Sequence, residues 1–161
     1  MSRLRNNVEP KTVSVTSADP ETVEAFLALG RDYLRELPSE EADRFLQSIL
    51  KRQGEPKRWL LLLKHSNEWS GFTHVKIDED ERPGWGFILE FYVVPTKRRI
   101  GLGTALFNAV ERILQAEGAK NVWLLPDSRS EPFWRSVGFK LSGETDEETG
   151  RNVMTKSLNP L

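Results

Sequence analysis

The chain contains no cysteine, so disulfides, thiolate zinc sites and a cysteine nucleophile are all excluded. Histidine is almost as scarce. Only His65 and His74 occur, and two residues in strand-like surroundings do not form a histidine-rich metal cluster. We therefore expect no metal site and no imidazole-based catalytic triad.

Long apolar runs are also missing. The longest strongly apolar run covers residues 59–63, whereas a membrane-spanning helix needs about 20 such residues. Residues 1–11 mix charged and amide side chains without the apolar stretch of a secretion signal. The sequence therefore predicts a cytoplasmic protein without a membrane partner.

An excess of one charge is absent as well, because 23 Lys and Arg face 24 Asp and Glu. A nearly neutral chain exerts no general attraction on a polyanion, so we expect no nucleic-acid partner. The length of 161 residues corresponds to one domain, and eight Phe and five Trp supply a core. We expect residues 1–161 to form that domain, with residues 1–11 flexible.

The first half of the chain predicts a short strand and two helices before the sheet. Val13 and Val15 alternate with polar neighbours, as in a strand. Asp19 and Pro20 form a helix start, and apolar residues follow at helical spacing as far as Leu37. Ser39 is placed to cap a second helix that ends before Gly54.

The second half predicts a sheet built around one βαβ unit. Residues 85–94 are rich in β-branched and aromatic side chains, residues 101–117 show helical periodicity, and residues 121–125 form the next strand. Two strands joined in this way run parallel. Further strands are predicted at residues 59–63, 69–77, 139–143 and 152–157, with a short helix at 131–137. The fold class is therefore α/β, with a mixed, mostly antiparallel sheet flanked by helices.

Glycines lie where the strand at 85–94 passes into the long helix. Gly101 and Gly103 allow a ligand to approach the helix N-terminus, where backbone N–H groups favour an anion. Lys97, Arg98 and Arg99 add positive charge. The spacing fits neither a dinucleotide-binding fingerprint nor a P-loop. The remaining alternatives are a phosphate-binding turn and an ordinary solvated loop.

The segment resembles the GNAT superfamily of acyl-CoA-dependent N-acyltransferases. The pyrophosphate motif of that family is matched by Arg98, Gly101 and Gly103, with Val93 and Pro95 upstream. About 30 residues further on, residues 133–139 (Phe-Trp-Arg-Ser-Val-Gly-Phe) are similar to its second signature. The resemblance covers roughly residues 87–139.

The resemblance implies a single GNAT-like domain in which the central parallel strands splay apart after a bulge near Tyr92. The pantetheine arm of acetyl-CoA would pair with the backbone of residues 91–93, and a primary amine would attack the thioester directly in a ternary complex. No metal is implied. The implied cofactor-binding residues are Phe91, Tyr92, Val93, Arg98, Arg99, Ile100, Gly101, Leu102, Gly103, Thr104, Asp127, Ser130, Phe133 and Trp134.

Two catalytic candidates follow. Glu90 is an acid within an otherwise apolar strand, and we expect it to act as general base; a structural carboxylate is the alternative. Trp134 stands where the family often has a tyrosine that protonates the departing thiolate, and an indole does not release its proton. We expect water, or Tyr92, to take that role, with packing as the alternative role of Trp134.

Acidic and aromatic residues bear on the identity of the acceptor. Acidic runs at residues 78–81 and 144–148 would attract a cationic small molecule or peptide amine, although such runs are commonly solvated turns. Trp69, His74 and Trp85 would line an acceptor pocket or pack within the sheet. Asp127 replaces the usual pantetheine-binding asparagine. A homodimer is compatible with the sequence, and a non-catalytic acyl-CoA-binding or sensing module is the rival function.

Overall fold

The structure is a computed structural model that describes residues 9–160. Within them, seven strands and four helices follow in the predicted order. None of these helices combines the length and apolar character that crossing a bilayer requires. The elements are β1 (Lys11–Ser14), α1 (Pro20–Tyr33), α2 (Ser39–Lys51), β2 (Arg58–His65), β3 (Glu68–Ile77), β4 (Gly86–Val93), α3 (Leu102–Ala116), β5 (Asn121–Leu124), α4 (Glu131–Ser136), β6 (Lys140–Thr145) and β7 (Asn152–Ser157).

The two N-terminal helices confirm one predicted cap and correct another. Asp19 caps α1, since its Oδ1 accepts a hydrogen bond from the Glu21 N–H at 3.2 Å. Ser39, however, is the first residue of α2 and not its cap. Pro38 is the N-cap: its ψ of 143° is extended, it makes no side-chain hydrogen bond, and its carbonyl accepts the first helical hydrogen bond, from the Ala42 N–H at 3.0 Å.

Two predicted boundaries also differ from the structure: the C-terminal end of α1 and the end of the segment expected to be flexible. α1 ends at Tyr33 and not at Leu37. After Tyr33 the chain tightens into turns, in which the Arg35 and Leu37 N–H groups donate to carbonyls three residues earlier, at 3.3 and 2.9 Å. Most of the segment predicted to be flexible lies outside the described residues, and Lys11 already belongs to β1.

The strands form one mixed sheet in the order β1-β2-β3-β4-β5-β7-β6. β4 and β5 are parallel, as predicted, whereas β1 with β2, β5 with β7, and β6 with β7 are antiparallel. The β4–β5 register pairs Gly86 with Val122, Phe87 with Trp123 and Ile88 with Leu124. Because β5 ends at Leu124, the remaining residues of β4 extend beyond this pairing.

The chain divides into two compact units. The first consists of the described part of Met1–His74 together with Glu90–Leu106. Its core is aromatic at the centre: the Phe26 and Phe72 rings meet edge to face at 5.2 Å, and Tyr33 and Tyr92 lie 5.4 Å apart. Fully buried leucines of α2 and β2 complete it.

The second unit consists of Val75–Leu89 and the described part of Phe107–Leu161. Phe87 and Trp123 stack with their ring centroids 4.0 Å apart. On another part of the unit, Trp134 contacts Phe107 and Phe139 edge to face, at 6.0 and 5.2 Å.

Tyr92 links β4 to α1 within the first unit. Its ring is buried, and its hydroxyl donates a hydrogen bond to the Asp32 carboxylate near the end of the helix. Burial, and then the hydrogen bond and negative charge of Asp32, raise the pKa of Tyr92 to about 12 from an ordinary value of 10.0. The phenol therefore stays protonated in the folded protein where an exposed tyrosine would ionise.

This pKa shift predicts a loss of stability at alkaline pH. Because the folded-state pKa is raised, the contribution of Tyr92 is complete below pH 10.0 and is lost as pH rises towards about 12. Urea unfolding at a series of pH values should show this loss in the wild type and less of it in Tyr92→Phe. An equal loss in the wild type and in Tyr92→Phe would contradict the assignment.

Candidate active site

The turn between β4 and α3 presents backbone donors. A short 3-10 turn, Pro95–Lys97, follows β4, and the chain then passes through Arg98 to Gly101 before α3 begins. The Ala105 N–H donates to the Gly101 carbonyl at 3.0 Å and starts the helical hydrogen-bond ladder. The N–H groups of Leu102, Gly103 and Thr104 precede that ladder and are available to an anion.

The backbone of the turn is shaped for a close approach. Arg98 has φ −77° and Arg99 has φ 71°, and Gly101 returns to the left-handed region at φ 87°. Glycine adopts this left-handed conformation without steric cost and leaves the main chain accessible at this point. Apart from Gly101 and its two chain neighbours, no atom of residues 9–160 lies within 4 Å of the position that a Gly101 Cβ would take. The turn therefore has both the donors and the open space that a diphosphate requires.

The three cations of the turn have different surroundings. Lys97 Nζ forms an ion pair with Glu68. Arg98 Nε donates to the Val93 carbonyl at 2.8 Å, and its guanidinium lies 5.8 Å from the centre of the Tyr92 ring. Arg99 is exposed. Arg98 thus holds the turn against the end of β4, a role that the sequence analysis did not foresee.

β4 contains one residue more than the stretch of β3 with which it pairs. The Val94 N–H donates to the Ser70 carbonyl, and the Asp78 N–H donates to the Trp85 carbonyl. Between these two hydrogen bonds, β3 advances by eight residues, from Ser70 to Asp78. Over the same stretch β4 advances by nine residues, from Trp85 to Val94. One extra residue on one strand of an antiparallel pair defines a β-bulge and agrees with the predicted irregularity in this strand.

Gly71 accommodates the displaced backbone of β4. A Cβ at this position would lie 2.3 Å from the Tyr92 carbonyl oxygen and 3.2 Å from the Val93 Cα. Any side chain would therefore collide with the main chain of the segment that the family resemblance assigns to pantetheine binding. The Tyr92 and Val93 side chains themselves are buried.

Glu90 lies at the start of this segment and is held at two points. Its main-chain carbonyl accepts from the Thr73 hydroxyl at 2.7 Å, and its Oε1 lies 3.1 Å from His74 Nδ1. The Glu90 side chain is 13% exposed and that of His74 is 3% exposed. Glu90 is thus a carboxylate with a fixed neighbour that retains some contact with solvent.

The second signature lies in the other unit. Asp127 is exposed, and its Oδ1 accepts from the Ser130 N–H at 3.0 Å while the Ser130 hydroxyl donates back to the Asp127 carbonyl at 3.0 Å. This pair forms the turn that leads into α4. Asp127 therefore stabilises this turn, and its cofactor contact stays a prediction.

Trp134 is a core residue of that unit. It is 4% exposed, and its ring contacts Phe107, Phe133 and Phe139 with centroids between 4.9 and 6.0 Å apart. These contacts match the packing alternative for this position.

The acidic runs form turns. Asp78 is buried, and its two carboxylate oxygens accept from the Asp80 and Arg82 N–H groups at 2.9 and 2.8 Å. Burial alone would raise the pKa of Asp78, but these hydrogen bonds outweigh burial and lower it. Asp146 accepts from the Thr149 N–H and hydroxyl, which likewise lowers its pKa. Both carboxylates therefore stabilise their own turns and stay ionised to lower pH than an ordinary aspartate.

Of the proposed pocket-lining residues, only His74 contacts a candidate catalytic group. Lys64 lies 4.6 Å above the Trp69 ring, and Arg82 lies 5.7 Å from the Trp85 ring, which places each tryptophan in a local cation–π contact. The sequence alone indicates only a lining or packing role for His74. Knowledge of the β3–β4 register is what reveals its contact with Glu90.

Comparison with known proteins gives a consistent result. A model of the acetyltransferase (GNAT) family matches residues 23–139. No match was found among curated proteins.

Solved structures resemble the fold at low sequence identity. PaiA N-acetyltransferase from Thermoplasma acidophilum, in complex with coenzyme A, is 17% identical, with a TM-score of 0.70 over 93% of this chain and 99% of that one. An aminoglycoside 6'-N-acetyltransferase complexed with coenzyme A is 15% identical, with a TM-score of 0.72 over 94% and 98%. The aminoglycoside 6'-N-acetyltransferase from Enterococcus faecium is 15% identical, with a TM-score of 0.73 over 94% and 98%.

Two glycines allow the anion site to be tested against a matched control. Gly101 and Gly118 both have φ 87° and no protein atom near the position that a Cβ would take, but Gly118 lies beyond the far end of α3. Alanine at either position should cost about 1–2 kcal/mol of stability through backbone strain. Only Gly101→Ala should also weaken coenzyme A binding, by about tenfold or more in calorimetry, because its Cβ occupies the ligand's space. Equal affinities in the two variants would contradict the site.

Proposed function

The chain belongs to the acetyltransferase (GNAT) family, and from this premise we propose that it transfers an acetyl group from acetyl-CoA to a primary amine. The observation that carries the proposal is the turn before α3, where backbone donors, a left-handed Gly101 and open space coincide. Such a turn suits a diphosphate group.

Within the first unit, we assign the diphosphate to the N–H groups of residues 99–104 and the pantetheine arm to the backbone of residues 91–93. The irregular path of β4 supports this assignment, because a strand with a bulge presents main-chain groups that regular pairing would consume. Arg98 contributes by fixing the turn, since its side chain is engaged by Val93. In the second unit, Ser130 and Phe133 remain proposed contacts.

We propose direct attack of the amine on the thioester, without an acyl-enzyme. Acetyl-CoA supplies an acyl group that is activated by its sulfur leaving group. The nitrogen–carbon bond forms as the carbon–sulfur bond breaks, and a backbone N–H near Val93 stabilises the negative charge that develops on the carbonyl oxygen. Glu90 accepts the proton that the amine must lose. The partial exposure of its carboxylate is consistent with this role.

Water is the proposed proton donor to the departing thiolate. The Tyr92 hydroxyl is committed to Asp32, and its pKa is raised to about 12, so proton release from it is costly. Trp134 is packed among aromatic rings and has no acidic proton to give.

The acceptor is proposed as a small-molecule or peptide amine. Two of the similar structures are named as aminoglycoside acetyltransferases, which makes amino sugars a reasonable first group to screen alongside polyamines and peptide N-termini. One acetyltransferase domain, a cytoplasmic location and an optional homodimer remain predictions. The rival function, an acyl-CoA-binding or sensing module, keeps the diphosphate site but predicts no chemistry.

Thiol release distinguishes these two functions and tests Glu90. With acetyl-CoA and a suitable amine, the wild type should release thiol faster than without amine. Glu90→Gln should lower kcat by about 10²-fold and abolish the acidic limb of the pH–rate profile, because the amide cannot accept the proton. Coenzyme A affinity should change little.

Glu147→Gln provides the control, since Glu147 is an exposed carboxylate in the turn between β6 and β7. It should retain wild-type kinetics. A Glu90→Gln enzyme with an unchanged profile would remove Glu90 from the reaction, and coenzyme A binding without thiol release for any amine would favour the sensing module.

A further inference from the structure

Three polar side chains from neighbouring strands form a hydrogen-bonded chain that ends at the proposed base. Arg58 of β2 lies with its Nη1 2.8 Å from His74 Nε2, and His74 Nδ1 lies 3.1 Å from Glu90 Oε1. The Arg58 side chain is 8% exposed and that of His74 is 3% exposed. All three residues belong to the first unit.

The chemistry of arginine fixes the direction of these hydrogen bonds. A guanidinium group only donates, so His74 Nε2 must be the acceptor and must carry a lone pair. The ring proton then resides on Nδ1 and is donated to Glu90 Oε1. A second proton on Nε2 would face the Arg58 N–H at 2.8 Å, so the contact holds the ring in its neutral Nδ1–H form.

This chain constrains the Glu90 carboxylate. One oxygen, Oε1, is engaged by His74, and the Glu90 main chain is engaged by Thr73. Within residues 9–160 the structure records no hydrogen bond to Oε2. The carboxylate is thereby oriented, with one oxygen committed and the other available.

We propose that Arg58 and His74 are positioning residues that orient Glu90, so that Oε2 is the oxygen that accepts the proton of the attacking amine. This inference rests on the proposed function. The nitrogen–hydrogen bond of the amine breaks and an oxygen–hydrogen bond forms on Oε2. Because Arg58 blocks His74 Nε2, the proton does not pass inward through the imidazole and returns to solvent from Glu90.

The charges around His74 complete this arrangement. Arg58 Nε also forms an ion pair with Glu55 Oε1 at 3.3 Å. The Arg58 cation therefore lies between the Glu55 and Glu90 carboxylates, and the His74 ring connects it to Glu90. The ring Nδ1–H thus gives the Glu90 carboxylate a donor of fixed direction. The groups recorded against this chain are Glu55 before β2, Arg58 on β2, Thr73 on β3 and Glu90 on β4.

The tautomer can be tested without any activity measurement. Since the chain contains only two histidines, His65→Asn leaves His74 as the single source of imidazole signals in ¹⁵N NMR. The free protein near neutral pH should show a neutral ring protonated on Nδ1. Arg58→Met should abolish that preference, whereas an Nε2–H tautomer or a doubly protonated ring in the Arg58-containing protein would overturn the inference.

The role in the reaction requires kinetics. His74→Phe removes the donor to Glu90 and should lower kcat about tenfold or more and shift the acidic limb of the pH–rate profile, with coenzyme A affinity within about twofold of wild type. His74→Asn keeps a donor near the Nδ1 position and should recover part of kcat and the original profile. Thermal unfolding checks that each variant is folded at the assay temperature.

Ser70→Ala is the matched control, because Ser70 is also a buried polar residue of β3 and its hydroxyl bonds only locally, to the Glu68 carbonyl. It should lose stability without a shift in the profile. If the wild type and His74→Phe turn over the amine with the same pH–rate profile, this inference is overturned and the proposed function stands. Absence of turnover with any amine in the wild type would overturn the proposed function and the positioning role together.

Discussion

The path of β4 after Ile88 is the constraint on which the candidate site depends. Over Gly86–Ile88 the strand is paired with β5, but that register ends with β5 at Leu124. The remaining part of β4 carries buried side chains at Tyr92 and Val93, and buried main-chain groups must find partners. Arg98 supplies one partner through the Val93 carbonyl, and a ligand that pairs like a strand would supply others.

Several contacts in the first unit serve to keep this segment in place. Tyr92 is bonded to α1 through Asp32, Gly71 leaves room for the Tyr92 carbonyl, and Thr73 holds the Glu90 main chain. Each contact comes from a different part of the chain. The irregular segment is therefore held by these contacts in addition to its pairing with β3, which is typical of irregular backbone at functional sites.

Sequence patterns predicted the features that arise from local chemistry. Asp19 with Pro20 starts a helix wherever it occurs, and an apolar strand, a long amphipathic helix and a second strand require a parallel pair. The glycine at position 101 identified the turn before α3, because a left-handed backbone there suits no other residue as well.

Features that depend on tertiary neighbours could not be predicted in the same way. The bond from Arg98 to Val93 depends on the path of the turn, and the contact of His74 with Glu90 depends on the β3–β4 register. Even locally, Ser39 is a typical cap residue, but Pro38, whose ψ of 143° lies outside the helical region, occupies the cap position and Ser39 is already helical. Trp134 carries no signal in its sequence neighbourhood that separates a core ring from a catalytic one.

The bond between Arg98 and Val93 has a thermodynamic consequence for ligand recognition. Because this side chain closes the loop between strand and helix in the free protein, much of the ordering that binding would otherwise demand is already complete. With a preorganised loop, more of the interaction energy between loop and ligand contributes to affinity and selectivity. Replacement of this loop by a flexible one would mainly increase the dissociation rate constant of the ligand.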